Sequence, residues 1–133
     1  MPWFVETSVL VRYLTADPPD MAQRAARLID SGDELYVTDT ILAETAHVLR
    51  RLYGVAREDI ADLLVRLLRR RNILVYELDK GTVIAAILLT RPSGRISIPD
   101  ALIWAAARCA APSTVFSFDR RFPADGILVQ EPS

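Results

Sequence analysis

Glu6, Glu44, Asp100 and Asp119 are the residues of this chain whose types and positions could do chemistry. Glu6 closes the short apolar run WFV, and Asp119 follows a second such run in TVFSFDRRF. In open α/β sheets ligands bind beyond the carboxyl ends of the strands, and both acids fall at such ends. Asp100 leads DALIWAAARCAA, a stretch whose only other charge is Arg108. A helix so apolar all round should be largely buried, which would hold Asp100 rigidly at its start. Glu44 lies in ILAETAHVLRRLY, at the border of an apolar arc of Ile41, Thr45, Val48, Leu49 and Leu52, with His47 and Arg51 on the same flank. Each acid also has a plainer role. Glu6, Asp100 and Asp119 could cap or favour a helix N-terminus, and Glu44 could pair in solvent with Arg50 or Arg51. Met together in one pocket, four carboxylates repel unless a cation neutralises them. All-oxygen ligation selects a hard ion, Mg²⁺ or Mn²⁺, able to activate water against a phosphodiester.

The elements that must position these acids alternate along the chain. Short β-prone runs stand at Trp3–Val5, Leu35–Val37, 73–76, Thr114–Phe116 and 127–129. Helical stretches lie between them. One covers 8–14. Asp17 reads as an N-cap with Pro18 at the first helical position, opening a helix to about Ser31 that stops at Gly32. Thr38 or Asp39 caps a helix reaching Tyr53 and closed by Gly54. The stretch 57–71 carries Ile60, Leu63, Leu64, Leu67 and Leu68 at helical spacing. Residues 82–89 form another helix, ended near Pro92 and Gly94, and Ile98-Pro99-Asp100 begins the last, which reaches Ala110. Strands alternating with helices predict a mostly parallel sheet covered on both faces, in one α/β domain spanning residues 1–133.

Composition narrows the classes. The 133 residues are 51% hydrophobic and 25% charged, which suits one domain with a real core. A net charge of -1 advertises no global attraction to nucleic acid or membrane. Of the 16 basic residues only Lys80 is a lysine, and arginine suits bidentate contacts with phosphate or carboxylate as well as reflecting codon bias. The single cysteine, Cys109, excludes an internal disulfide and a cysteine-rich metal cage, and the single histidine, His47, is a weak metal ligand on its own. No signal peptide is visible in MPWFVE and no apolar run approaches the roughly 20 residues of a membrane span, so a cytoplasmic protein is expected.

The stretches FVETSVLVRYL, AET around Glu44, IPDALI and FSFDRRF, in that order and over essentially the whole chain, resemble the PIN-domain nucleases, and most closely the VapC-type toxins of bacterial toxin–antitoxin modules. The resemblance implies an α/β/α sandwich around a parallel sheet and an endoribonuclease dependent on Mg²⁺ or Mn²⁺. It implies a homodimer inhibited by a small antitoxin protein. By motif it assigns catalysis to Glu6, Glu44, Asp100 and Asp119, with Glu6, Asp100 and Asp119 on the metal. Ser8 matches the small polar residue after the first acid, and Ser117 the hydroxyl two before the last. An antitoxin would lie against the amphipathic early helices, including Val9, Leu10, Tyr13 and Leu14.

One residue departs from the family pattern, in which the first acid is ordinarily aspartate. Glu6 reaches further by roughly one carbon–carbon bond and must fold back to serve the same ion, and small misplacements can cost roughly 100-fold in rate. Two readings follow: a working ribonuclease, or a catalytically impaired PIN domain acting as an antitoxin- or RNA-binding module. A receiver-like phosphate acceptor is a poor third, since Lys80 precedes a helix instead of following a late strand. RNA approaching the acids needs a basic rim. Arg12, Arg120 and Arg121, near Glu6 and Asp119 in sequence, are candidates for phosphate contact as well as plain solvated residues. Arg66, Arg69, Arg70 and Arg71 end a helix, where the dipole alone accounts for cations.

Overall fold

The computed structural model describes residues 2–92 and 95–133. Five strands, β1 (Trp3–Val5), β2 (Leu35–Val37), β3 (Ile73–Val75), β4 (Thr114–Phe116) and β5 (Leu128–Gln130), form one sheet in the order β3-β2-β1-β4-β5. Every pairing is parallel. Six helices connect and cover it: α1 (Thr7–Thr15), α2 (Pro19–Ile29), α3 (Asp39–Tyr53), α4 (Arg57–Leu68), α5 (Lys80–Leu89) and α6 (Ile98–Cys109). The consecutive residues Phe4 and Val5 must point to opposite faces of the sheet, and both are fully buried. Both faces are therefore covered, as the alternation of strands and helices predicted.

The core joins Phe4, Val5, Leu35, Val37 and Val115 of the strands to Val9 and Leu10 of α1, Ile29 of α2, Ile41 of α3 and Ile103 of α6. Val9 and Leu10 are thus interior residues and leave no surface for a partner. Phe4, Tyr36 and Tyr76 contact one another with ring centroids 5.4 to 5.8 Å apart, and Trp3 meets Phe116 edge-on at 5.2 Å.

Several element ends differ from expectation, each for a local reason. Pro18, not Asp17, is the N-cap of α2, and the Asp17 carboxylate accepts instead from the Tyr53 hydroxyl at 3.1 Å. α5 begins at Lys80 because Asp79 caps it, accepting from the Thr82 N–H at 3.3 Å. α4 stops at Leu68, and Arg70 beyond it pairs with Asp30, the C-cap of α2. β5 starts one residue late and is an edge strand, with Leu128 52% exposed. Leu52 lies outside the apolar arc of α3, 76% exposed. The stop expected for α5 near Gly94 lies outside the described residues; the helix itself ends at Leu89. No helix among the described residues is long and apolar enough to cross a membrane.

At the end of α1 the chain turns through Ala16, which has φ 57° and ψ 33°. The left-handed region costs an L-residue with a Cβ roughly 1–2 kcal/mol, and glycine avoids it. Ala16→Gly should therefore raise the unfolding free energy by about 1 kcal/mol. Chemical denaturation measures it; a loss of stability would mean that this turn is not left-handed.

Candidate metal centre

The chain leaves β1 for β2 and β3 on one side, then returns to β4 and β5 on the other. The order reverses between β1 and β4, and a crevice opens there beyond the carboxyl ends of the two strands. Glu6 follows β1 directly. Its N–H donates to the Phe116 carbonyl at 3.0 Å, so strand pairing carries through to the acid before the backbone turns into α1.

The Glu6 side chain then folds back over the first turn of α1. Its Oε1 accepts from the Ser8 N–H at 3.1 Å, capping the helix, and from the Ser8 and Ser117 hydroxyls, both at 2.7 Å. Ser8 Oγ in turn accepts from the Phe118 N–H at 2.8 Å and Ser117 Oγ from the Asp119 N–H at 2.9 Å. Both hydroxyl hydrogens are thereby committed to Glu6, whose residue is only 6% exposed. Oε2 makes no hydrogen bond among the described residues.

Two further acids reach the same point. Glu44, on the second turn of α3, accepts from the Thr7 hydroxyl at 3.0 Å. It pairs with neither Arg50 nor Arg51 among the described residues. Asp100 is the third residue of α6, and the cap of that helix is Ser97, whose Oγ accepts from the Asp100 N–H at 3.1 Å. With the capping done by serine, the Asp100 carboxylate is left for the cleft. Glu6, Glu44 and Asp100 each present an oxygen within 4.8 Å of the others. Asp119 lines the same cleft, of about 300 Å³, but lies outside that group; its Oδ1 accepts from the Arg121 N–H at 2.9 Å.

The electrostatics follow from the crowding. Burial pushes the Glu44 carboxyl above its ordinary value; the Thr7 hydrogen bond offsets part of this, and the charges of Asp100 and Glu6 add to it. Asp100 is likewise raised by burial, then by Glu6 and Asp119, with partial relief from Ser97. The donor set fits a hard divalent cation. Ligand oxygens at about 2.0–2.1 Å from Mg²⁺ stand up to roughly 4.2 Å apart, close to the present spread.

Of the expected basic residues, Arg12 lines the cleft, and its Nε is buried without a hydrogen-bond partner among the described residues. Arg121 stands 3.9 Å from Asp119, while Arg120 turns to Glu131 at 3.5 Å. His47 and Arg51 line a different concavity. Two residues of the site escaped sequence reasoning. Ser97 was signalled by S-x-x-D at 97–100, a capping pattern. Thr7 carried no signal, because its partner lies 37 positions away.

A family model described as the PIN domain matches residues 3–125. Among solved structures, the chain superposes on VapC20 of Mycobacterium tuberculosis, a toxin that cleaves the sarcin–ricin loop, with a TM-score of 0.74 and 24% identity over 93% of this chain and 95% of that one. It superposes on a chain of VapBC2 from Rickettsia felis, solved bound to a fragment of promoter DNA, with a TM-score of 0.66 and 16% identity, covering 98% of each chain. A search of proteins of curated function finds no significant match.

Asp100→Asn relieves the crowding, so it should raise the thermal midpoint of protein held in a chelator at neutral pH. The sign follows from the raised pKa values. The folded state holds protons on Glu44 and Asp100 more tightly than the unfolded chain does, so stability falls as pH rises from the ordinary values of 4.5 and 3.8 through the raised ones. The gain from the variant should be full at pH 7 and shrink towards about pH 4. A midpoint unchanged by the substitution at both pH values would mean that the acids do not strain the fold.

Proposed function

Since the chain belongs to the PIN-domain family, we propose that it is a Mg²⁺- or Mn²⁺-dependent endoribonuclease, the toxin of a toxin–antitoxin pair. The observation that carries this is the convergence of Glu6, Glu44 and Asp100 within 4.8 Å at the switch point of the sheet. These three would hold the ion, with Asp119 at the rim beside Asp100. A bound divalent cation supplies Lewis acidity and lowers the pKa of a coordinated water.

The chain's own residues do the rest. Ser8 and Ser117 hold one oxygen of Glu6, which leaves Oε2 for the cleft. Thr7 orients Glu44. Asp119 is positioned to take a proton from attacking water, its Oδ1 steadied by the Arg121 N–H. Arg12, unpaired at the cleft wall, suits a phosphate oxygen. Arg121 is a second contact at the rim. Arg120, drawn towards Glu131, would reach RNA only by leaving that acid.

The extra methylene of Glu6 favours a working site over an impaired one. It is taken up by the fold-back onto Ser8 and Ser117, so the carboxylate does not overshoot the cleft. The binding-module reading rests only on the departure from aspartate. For partners, the groove of about 220 Å³ between α1 and α4, lined by Tyr13, Leu14, Leu63, Arg66, Leu67 and Arg70, suits an antitoxin segment. The face of α5 supports a homodimer: Ile84, Ile87, Leu88 and Leu89 are 40–56% exposed. A cytoplasmic location suits an enzyme acting on cellular RNA.

Purified protein incubated with a mixed RNA pool and Mn²⁺ should cut it, and lose the activity with chelator or with Asp100→Asn. Glu6→Asp should cut more slowly, by about 10- to 100-fold, because a shorter acid cannot meet both hydroxyls and the ion. Cleavage by Glu6→Asp alone would instead mean that the chain as it stands is disabled, and no cleavage by either would favour the binding module. Arg12→Gln should raise KM for RNA several-fold while leaving the Mn²⁺-induced rise in thermal midpoint intact. Loss of that rise would assign Arg12 to the metal centre's structure instead.

A further inference from the structure

On the flank of α3 beside the acidic cleft, a concavity of about 500 Å³ opens between α3 and the start of α4. His47, Arg50, Arg51 and Arg57 line it over a floor that includes Ala46 and Ile60. All four polar residues are exposed. None of the three arginines makes an ion pair or hydrogen bond among the described residues, so all three are open to an anion from solution.

Helix electrostatics explain only part of this grouping. Arg50 and Arg51 occupy the last turn of α3, where the dipole favours cations. Arg57 is the first residue of α4, the end where the dipole disfavours a cation. The acids beside it, Glu58 and Asp59, do not line the concavity. Three guanidinium groups around one hollow repel one another unless an anion lies between them, and guanidinium matches phosphate in bidentate fashion.

Position identifies the anion. Glu44 and Arg51 stand two turns apart on the same side of α3, a rise of about 10 Å, and Arg50 is the neighbour of Arg51. A strand cut at the cleft therefore passes from the acids onto the arginines without leaving α3. We infer that the α3–α4 groove, through Arg50, Arg51 and Arg57, is a phosphate-backbone subsite that holds the RNA strand running away from the acidic cleft. The identity of the polyanion as RNA rests on the nuclease reading above. The floor of small and aliphatic side chains offers no polar group to a base, so the arginines are assigned to phosphates, contacts that set affinity and register.

The test measures fluorescence anisotropy of a labelled 20-nucleotide RNA of mixed sequence against Asp100→Asn protein at several KCl concentrations. Arg50→Gln, Arg51→Gln and Arg57→Gln, each added singly, should weaken binding several-fold and lower the salt slope by about 0.7. Arg69→Gln, a basic residue outside the groove, should change neither. All three sites are exposed, so circular dichroism should give unchanged thermal midpoints, and each substitution stands as an independent test. Binding unaffected by the three, or weakened as much by Arg69→Gln, overturns the subsite. So does a poly-glutamate peptide that binds as tightly as RNA and is lost with the same variants, which would make the groove a dock for an acidic protein. Cleavage of the RNA pool by the parent chain separates the two ideas. Cleavage with unimpaired binding by the groove variants removes the subsite and keeps the nuclease. Groove-dependent RNA binding without cleavage keeps the subsite and removes the nuclease.

Discussion

A single carboxylate oxygen, Oε1 of Glu6, accepts from one backbone N–H and two hydroxyls, and through them it ties the end of β1 to the start of α1 and to the loop after β4. The two serines relay the tie, since each also receives a backbone N–H from the 118–119 segment. The crevice at the switch point thus has both walls fastened to one group. A buried carboxylate is costly to strand, but here one oxygen is saturated and the other makes no hydrogen bond among the described residues. The same bonds that stabilise the turn set the direction of the functional group.

The other acids are arranged at the expense of stability. Glu44 and Asp100 are half-buried beside Glu6, and their raised pKa values record first the cost of burial and then that of holding like charges together. Local bonds from Thr7 and Ser97 reduce that cost without removing it. Such a cluster gains most from a divalent cation, which is why its geometry carries the functional reading. Perturbed carboxylates in a cleft are also what a catalytic site requires.

α3 changes the sign of its charge along its length. Glu44 looks into the acidic cleft, while His47, Arg50 and Arg51 turn to the groove shared with α4. One rigid helix therefore fixes the separation between a centre that repels phosphate when bare and a surface that attracts it. α5, by contrast, is apolar over most of its length and buries little beyond Ala86, leaving Ile84, Ile87, Leu88 and Leu89 exposed.

The kinds of chemistry and the elements that bear them could be read from sequence. Apolar triplets such as WFV and TVF read as short strands, Gly54 as the end of a helix, and acids at strand ends pointed to the crevice. Element ends were less legible where capping signals compete, as at Asp17 and Asp79, because a carboxylate's partner depends on what the fold brings beside it. Tertiary structure alone decided which acids meet. Thr7 and Glu44 are 37 positions apart, and Glu6 and Ser117 are 111 apart. No local pattern encodes such contacts. They arise because parallel pairing of β1 with both β2 and β4 brings the strand ends and the helix starts to one place.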